Sequence, residues 1–166
     1  MDQTLYNLLL QDTRFLLGAE SEQATRMREL AESITDENLR ALFDEHAGET
    51  DVQIDRLQEI LTAAGEEGEG EVPGAVEGMI EDAEMVADME LGHPVQDVAI
   101  AAAARKMEHY EIACYESAIS IAEQLGLQDV VQPLRQSLEE ERRADQKLAA
   151  VVLTLVQNQV PMETES

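Results

Sequence analysis

Residues 99–122 read AIAAAARKMEHYEIACYESAISIA and decide how the rest of the chain is interpreted. Most of these side chains are small or aliphatic, which is typical of a helix that lies in a core. Two carboxylates, Glu108 and Glu111, stand in the middle of the stretch. A carboxylate removed from water is unfavourable unless a partner compensates its charge. The stretch therefore predicts a core helix whose centre requires a counter-charge.

Apolar residues recur every three to four positions along four segments of the chain, which predicts four long helices. We expect the first over 2–33, the second over 35–64 and the third over 94–126. The fourth would begin at Asp129, as its N-terminal cap. Short turns join the first helix to the second and the third to the fourth, so the long helices form two hairpins.

About 30 residues separate the two hairpins. Residues 65–74, GEEGEGEVPG, predict a mobile linker, and residues 75–91 predict a short amphipathic helix. A connection of this length can run the full height of a bundle. We therefore predict an all-α, ferritin-like four-helix bundle with a long crossover between the second and third long helices that carries the short extra helix. Residues 1–160 would form one domain, with 161–166 as a frayed tail.

The 166-residue chain carries a formal net charge of −25. A field of that sign repels nucleic acid and anionic lipid, so we expect neither nucleic acid nor a membrane as partner. An acidic, lysine-poor surface is typical of halophilic proteins, because concentrated salt screens self-repulsion; an ordinary acidic protein is the alternative.

Cys114 is the only cysteine, no basic signal region opens the chain, and the longest near-apolar run, 148–156, is too short to cross a bilayer. These features predict a soluble, cytoplasmic protein.

Polar side chains interrupt the apolar face of every predicted long helix. They are Glu20 in the first helix, His46, Glu49 and Gln53 in the second, Glu108 and Glu111 in the third, and Glu141 and Asp145 in the fourth. Glu20 and Glu49 lie at equal distances from the first turn, as Glu111 and Glu141 do from the second, each roughly 22 Å along the helix axis. If the two turns lie at opposite ends of the bundle, all these groups meet near mid-height.

Several carboxylates cannot share a dry core as anions, because desolvation and mutual repulsion are severe. Two metal ions would compensate them. Carboxylate-rich ligands with one or two imidazoles from four facing helices are typical of di-iron and di-manganese sites. We predict two metal ions, iron in preference to manganese, with these ligands: Glu20, His46, Glu49, Glu108, Glu111, Glu141 and Asp145.

Some neighbouring residues allow two interpretations. His46 is either a ligand or a residue that orients one. His109 is either a ligand or an outward-facing side chain, and membership of the site stays open for Gln53 and Glu81. Tyr115 follows the apolar face and is either a packing residue or a donor to a carboxylate.

The predicted site departs from the usual ferritin-like pattern, in which Glu-x-x-His occurs on two helices. Val52 follows Glu49 by three residues, and Ala144 follows Glu141 by three. The site is therefore poor in nitrogen ligands, which weakens any transfer of oxygen-activating chemistry.

Five blocks of the chain resemble the YciE/YciF family of ferritin-like stress proteins: GAESEQ (18–23), HAGETDVQIDRLQEI (46–60), VEGMIEDAEMV (76–86), AARKMEHYEIACY (103–115) and EQLGLQDVVQPLRQSLEEERRADQKL (123–148). The most specific part is EHYEIA, residues 108–113. The resemblance implies a four-helix bundle with an extra short helix, a homodimer and a di-metal centre, but no defined reaction. Gly48 stands where the family commonly has an acid.

Three functions fit these features, and they leave open whether the protein is an enzyme. The first is a di-iron (or di-manganese) carboxylate protein of the stress response that binds Fe(II) and reacts it with a small oxidant, peroxide or oxygen. The second is a non-enzymatic helical stress protein whose core carboxylates are satisfied by metal or water. The third is a nanocage iron store, although nothing in the sequence indicates a higher assembly.

Overall fold

The computed structural model describes residues 2–66 and 68–159, and this part of the chain contains five helices and no strand. The helices are α1 (Gln3–Ala31), α2 (Glu37–Ala63), α3 (Gly74–Ala87), α4 (Val95–Gln124) and α5 (Gln128–Gln159). The prediction of an all-helical chain is confirmed, and the predicted boundaries differ from these by a few residues. The predicted frayed tail, 161–166, lies outside the described residues.

Local capping explains where several helices begin and end. The Asp36 carboxylate accepts a hydrogen bond from Leu39 N at 2.8 Å and so caps α2. Gly126 ends the α4 region with a φ of 73°, a left-handed conformation that glycine adopts without strain. The predicted cap at Asp129 is wrong: α5 begins at Gln128, and Asp129 lies in its first turn.

The four long helices pack around a common interior. α1 packs along α2 and α4 along α5, while α1 also contacts α4 and α2 contacts α5. The short α3 lies outside this group, mainly against α4 and slightly against α1. Among the described residues, no helix has both the length and the apolar character that crossing a membrane requires.

Two apolar clusters occupy opposite ends of the interior. The upper cluster surrounds the α4–α5 turn and includes Leu9, Leu16, Leu57, Tyr115, Ala122 and Leu134. The lower cluster surrounds the α1–α2 turn and includes Met27, Ile34, Phe43, Ile100, Leu148 and Leu155. The two hairpin turns therefore lie at opposite ends, which is the condition under which the polar residues of all four long helices reach the same height.

The linker before α3 differs from the prediction, because its second half is held against α1. Glu71 N donates to Arg14 O at 3.1 Å. The approach is so close that a Cβ on Gly18 would lie 2.3 Å from Glu71 O, and one on Gly70 would lie 2.2 Å from Gly18 N. Glycine is required at both positions, since any larger residue would separate the linker from the helix.

Candidate metal centre

A polar layer separates the upper and lower apolar clusters, and each long helix contributes to it. We call its five buried ionisable residues the central cluster: Glu20 of α1, His46 of α2, Glu108 and Glu111 of α4, and Glu141 of α5. The four glutamates have no exposed surface, and His46 is 5% exposed. The structure thus brings together five of the seven residues that the sequence predicts as ligands.

The central cluster is arranged as two triads that share one residue. His46, Glu108 and Glu141 form the histidine triad, and Glu20, Glu111 and Glu141 form the carboxylate triad. Within each triad, one ligand atom of every residue lies within 4.8 Å of the others. Because a carboxylate has two oxygens, Glu141 can contact two cations at once. Two triads that share a carboxylate could each hold a metal ion.

The imidazole of His46 lies between carboxylates. Its Nε2 is 3.0 Å from Glu108 Oε2 and 3.4 Å from Glu141 Oε2, within ion-pair distance but without the alignment of a hydrogen bond. Its Nδ1 is 3.5 Å from Glu49 Oε2. Glu49 therefore contacts the outer side of the ring, which is how a carboxylate orients a metal-binding histidine.

Three neutral side chains hold one oxygen of each of three carboxyl groups. Gln23 Nε2 donates to Glu108 Oε1 at 2.9 Å, Gln53 Nε2 donates to Glu141 Oε1 at 2.5 Å, and the Tyr115 hydroxyl donates to Glu20 Oε1 at 2.5 Å. The position of Tyr115 as a donor is confirmed. These bonds fix the carboxyl groups in orientation and leave their second oxygens available.

Five buried oxygens of the central cluster receive no hydrogen bond from the described residues. They are Glu20 Oε2, Glu108 Oε2, Glu111 Oε1, Glu111 Oε2 and Glu141 Oε2. Buried polar atoms are rarely left in this state, because each loses its hydration without compensation. Oxygen atoms together with one imidazole are a ligand set that suits iron and manganese. The residues present therefore fit the predicted metals.

The protonation of the cluster follows from burial and from His46. Burial raises the pKa of Glu108 to about 8, although His46 opposes the shift. Burial also raises the pKa values of Glu20 and Glu111 well above the ordinary value. Burial acts in the same direction on Glu141, but His46 and the hydrogen bonds of Glu108 and Gln53 together outweigh it and lower the pKa of that carboxyl. Burial would lower the pKa of His46, but Glu108, followed by Glu141 and Glu49, raises it well above its ordinary value.

These shifts favour the protonated forms of Glu20, Glu108 and Glu111 in the metal-free cluster, and they favour a protonated His46 beside the Glu141 carboxylate. This state avoids several buried anions at the expense of unpaired oxygens. A metal ion would displace protons from the acids and from the imidazole.

The remaining predicted residues lie at the border of the cluster or outside it. The Glu49 side chain is 25% exposed. Asp145 lies outside, because its carboxylate forms an ion pair with Arg105, Nε to Oδ1 at 2.7 Å. His109 is largely exposed and contacts Asp145 at 3.4 Å, and Glu81 is exposed on α3.

Gln23, which contacts both Glu108 and His46, is not among the residues that the sequence predicts for the site. It follows Glu20 by three residues, so it lies on the same face of α1 one turn later. A polar residue at that spacing from a buried carboxylate was the available signal.

The fold and the cluster define an all-helical protein with a buried carboxylate–histidine centre. Residues 2–160 match the family described as a domain of unknown function (DUF892), and the chain belongs to that family. It is 35% identical over 154 residues to Protein YciF of Escherichia coli strain K12, which covers 89% of this chain and 88% of that protein. The resemblance to the YciE/YciF family is confirmed.

Solved structures show the same likeness. The crystal structure of the E. coli stress protein YciF matches with a TM-score of 0.89 at 31% identity, over 95% of this chain and 99% of that one. YcfI of Rhodopseudomonas palustris, described as a candidate structural protein, matches with a TM-score of 0.83 at 35% identity, over 89% and 94%. A protein of Xanthomonas campestris pv. campestris, at 23% identity and a TM-score of 0.67 over 94% and 99%, shares the fold.

Proposed function

We propose that this YciF-like chain is a ferritin-like four-helix-bundle stress protein that binds two metal ions, iron in preference to manganese, in the central cluster. The observation that carries the proposal is the pair of buried triads that share Glu141, with five oxygens that receive no hydrogen bond. Buried oxygens without a hydrogen bond are unfavourable, and divalent cations would compensate them.

The residues of the cluster would provide two sets of ligands, one for each ion. His46 and Glu108 would hold one ion, Glu20 and Glu111 would hold the other, and Glu141 would contribute to both sites. Two bound Fe(II) ions would supply the two electrons that the reduction of one peroxide to water needs. Gln23, Gln53 and Tyr115 keep the carboxyl groups in place through the hydrogen bonds described above. Glu49 orients the imidazole from its outer side.

Proton release accompanies this binding. Burial raises the pKa values of Glu108, Glu20 and Glu111 and so favours their protonated forms in the metal-free protein. Ligands must lose these protons before they coordinate, so metal affinity increases with pH.

The second candidate function is a non-enzymatic helical stress protein. The metal-free cluster favours it, because the His46–Glu141 pair and three neutral acids avoid an accumulation of buried charge. YcfI, which matches most of this chain, is described as a candidate structural protein.

Peroxide-dependent oxidation of Fe(II) distinguishes the two functions. The wild-type protein is loaded with Fe(II) anaerobically, mixed with peroxide and followed by absorbance in a stopped-flow instrument. Two Fe(II), one H₂O₂ and two protons give two Fe(III) and two H₂O, so we expect about two iron ions oxidised per peroxide, faster than in buffer. The matched variants are Glu141→Gln, which alters the shared ligand, and Glu139→Gln, which alters an exposed residue of the same helix.

We expect Glu141→Gln to lose the oxidation of iron that is faster than in buffer, and Glu139→Gln to retain it. Iron that binds to the wild type but reacts no faster than iron in buffer would favour the non-enzymatic function.

The homodimer, the cytoplasmic location and the adaptation to concentrated salt stay predictions. Several large apolar side chains are exposed along one short segment at the end of α3 and the start of α4: Met85, Met89, Leu91 and Val95. Exposed apolar residues grouped in this way are typical of protein interfaces, and they support the proposed dimer. The molar mass in solution, measured by light scattering, tests it.

A further inference from the structure

A cavity of about 310 Å³ lies beside the central cluster, between α1, α3 and α4. Four alanines of α3 and α4 leave the space open, and large apolar side chains form most of the remaining wall: Met27, Leu30, Phe43, Met79, Ile80 and Met107. A cavity of this kind does not attract water strongly, because water needs several polar partners. The walls therefore favour an apolar occupant.

Gln23 forms the part of the wall nearest the central cluster. Its Nε2 is engaged by Glu108, and its Oε1 is buried and receives no hydrogen bond from the described residues. An unpaired buried amide oxygen is unfavourable, and a donor on the occupant would relieve it. Gln23 thus adds one polar requirement to an apolar site.

The mouth of the cavity is acidic. Arg26 lies there, and its Nη1 is paired, 2.8 Å from Glu29 Oε2 and 3.0 Å from Glu84 Oε1, while its buried Nε has no hydrogen-bond partner among the described residues. Asp88 adds a further carboxylate to the lining. Three carboxylates against one cation repel an anionic molecule at the entrance.

We propose that this cavity binds a neutral, apolar molecule of about two fused rings that carries one hydroxyl group, which donates to Gln23 Oε1. The size follows from volume, since a cavity of about 150 Å³ accommodates benzene and this one is about twice as large. The hydroxyl follows from Gln23, and neutrality follows from the acidic mouth. The site does not depend on metal in the central cluster.

Three probes of similar size separate these requirements: 2-naphthol, naphthalene and 2-naphthoate. Each is titrated into the metal-free full-length protein at pH 7, and binding is measured by isothermal titration calorimetry. We expect one saturable site for 2-naphthol, with an affinity about five-fold higher than that for naphthalene, the contribution of one net hydrogen bond. Naphthoate should bind more weakly than naphthol. Equal affinities for naphthol and naphthalene would overturn the role of Gln23.

Variants that fill the cavity test its location. Ala83→Leu on α3 and Ala103→Leu on α4 each place a larger side chain in the lining, whereas Ala75→Leu changes an exposed residue of α3 outside it. We expect both filling variants to lose naphthol binding and Ala75→Leu to keep it. Circular dichroism and thermal melting identify any variant that fails to fold, and the other filling variant then decides. Naphthol binding that persists in a folded filling variant, or is absent from the wild type, would overturn the proposal.

Discussion

The central cluster and the two apolar clusters are built from the same four helices. They differ in whether the buried side chains find partners that compensate for the loss of water. In the upper cluster, Leu57 and Leu134 are almost fully buried among other apolar groups, which is the usual source of folding stability. In the central cluster, Glu111 is equally buried, and neither of its oxygens receives a hydrogen bond from the described residues. The ends of the interior therefore stabilise the fold, whereas the middle contains unpaired buried oxygens that the proposed metal ions would compensate.

Removing apolar volume from an end should produce the largest change in stability. We expect Leu57→Ala to lower the free energy of unfolding by about 2–5 kcal/mol, by the same amount with and without metal. Denaturant titration of both forms measures this change. Val52→Ala, at a residue of α2 that is 48% exposed, is the control and should change stability little. A loss for Leu57→Ala that appeared only in the metal-loaded protein would contradict the division between ends and middle.

Replacing a buried carboxylate of the central cluster by an apolar side chain should instead raise the stability of the metal-free protein. Glu111→Leu replaces two unpaired buried oxygens by apolar atoms, so we expect the metal-free protein to gain about 1–3 kcal/mol of stability. Because the carboxylate triad loses a ligand, metal affinity should fall by at least about ten-fold. Exposed Glu139→Leu on α5 is the control for adding an apolar side chain. A metal-free Glu111→Leu protein that is less stable than the wild type would show that Glu111 is already compensated.

The pH dependence of stability should reverse when metal is bound. Burial raises the folded pKa of Glu108 to about 8, and those of Glu20 and Glu111 are raised as well, so the folded metal-free protein binds more protons than the unfolded chain. Its stability should therefore fall between about pH 5 and pH 8, by up to about 1.4 kcal/mol per pH unit for each group. The raised pKa of His46 acts in the same direction, while Glu141, whose pKa is lowered, contributes a constant amount in this range.

Metal binding requires deprotonated ligands, so the stabilisation due to metal should increase over the same range. Thermal melting between pH 5 and pH 8, with and without Fe(II) or Mn(II) under anaerobic conditions, measures both trends. Parallel curves for the two forms would show that the acids of the central cluster do not coordinate metal.

The smallest effect is expected at Asp145, which lies at the height of the cluster but outside it. Its ion pair with Arg105 is partly exposed, so Asp145→Asn should lower stability by less than about 1 kcal/mol. The metal content after loading, measured by elemental mass spectrometry, should equal that of the wild type. A metal content lower than that of the wild type would show that Asp145 is a ligand, as the sequence predicts.

The helices and the height of the polar layer were predictable because both depend on periodicity along one chain. Glu111 and Glu141 lie equally far from the α4–α5 turn, and a hairpin places such residues opposite each other. Whether Asp145 faces the interior or Arg105 depends on the rotation of α5 against α4, which the spacing of residues within one helix does not determine. The close approach of Gly18 and Gly70 depends on contacts between distant segments and left no periodic signal.

The count of metal ions per chain tests the central claim most directly. The protein is loaded with excess Fe(II) under anaerobic conditions, desalted, and analysed for iron and for protein. We expect about two ions per chain in the wild type, about one in Glu20→Gln, where the histidine triad remains intact, and almost none in Glu141→Gln, where both triads lose their shared ligand. A wild-type protein that emerges without iron, or a Glu141→Gln protein that retains both ions, would contradict the account.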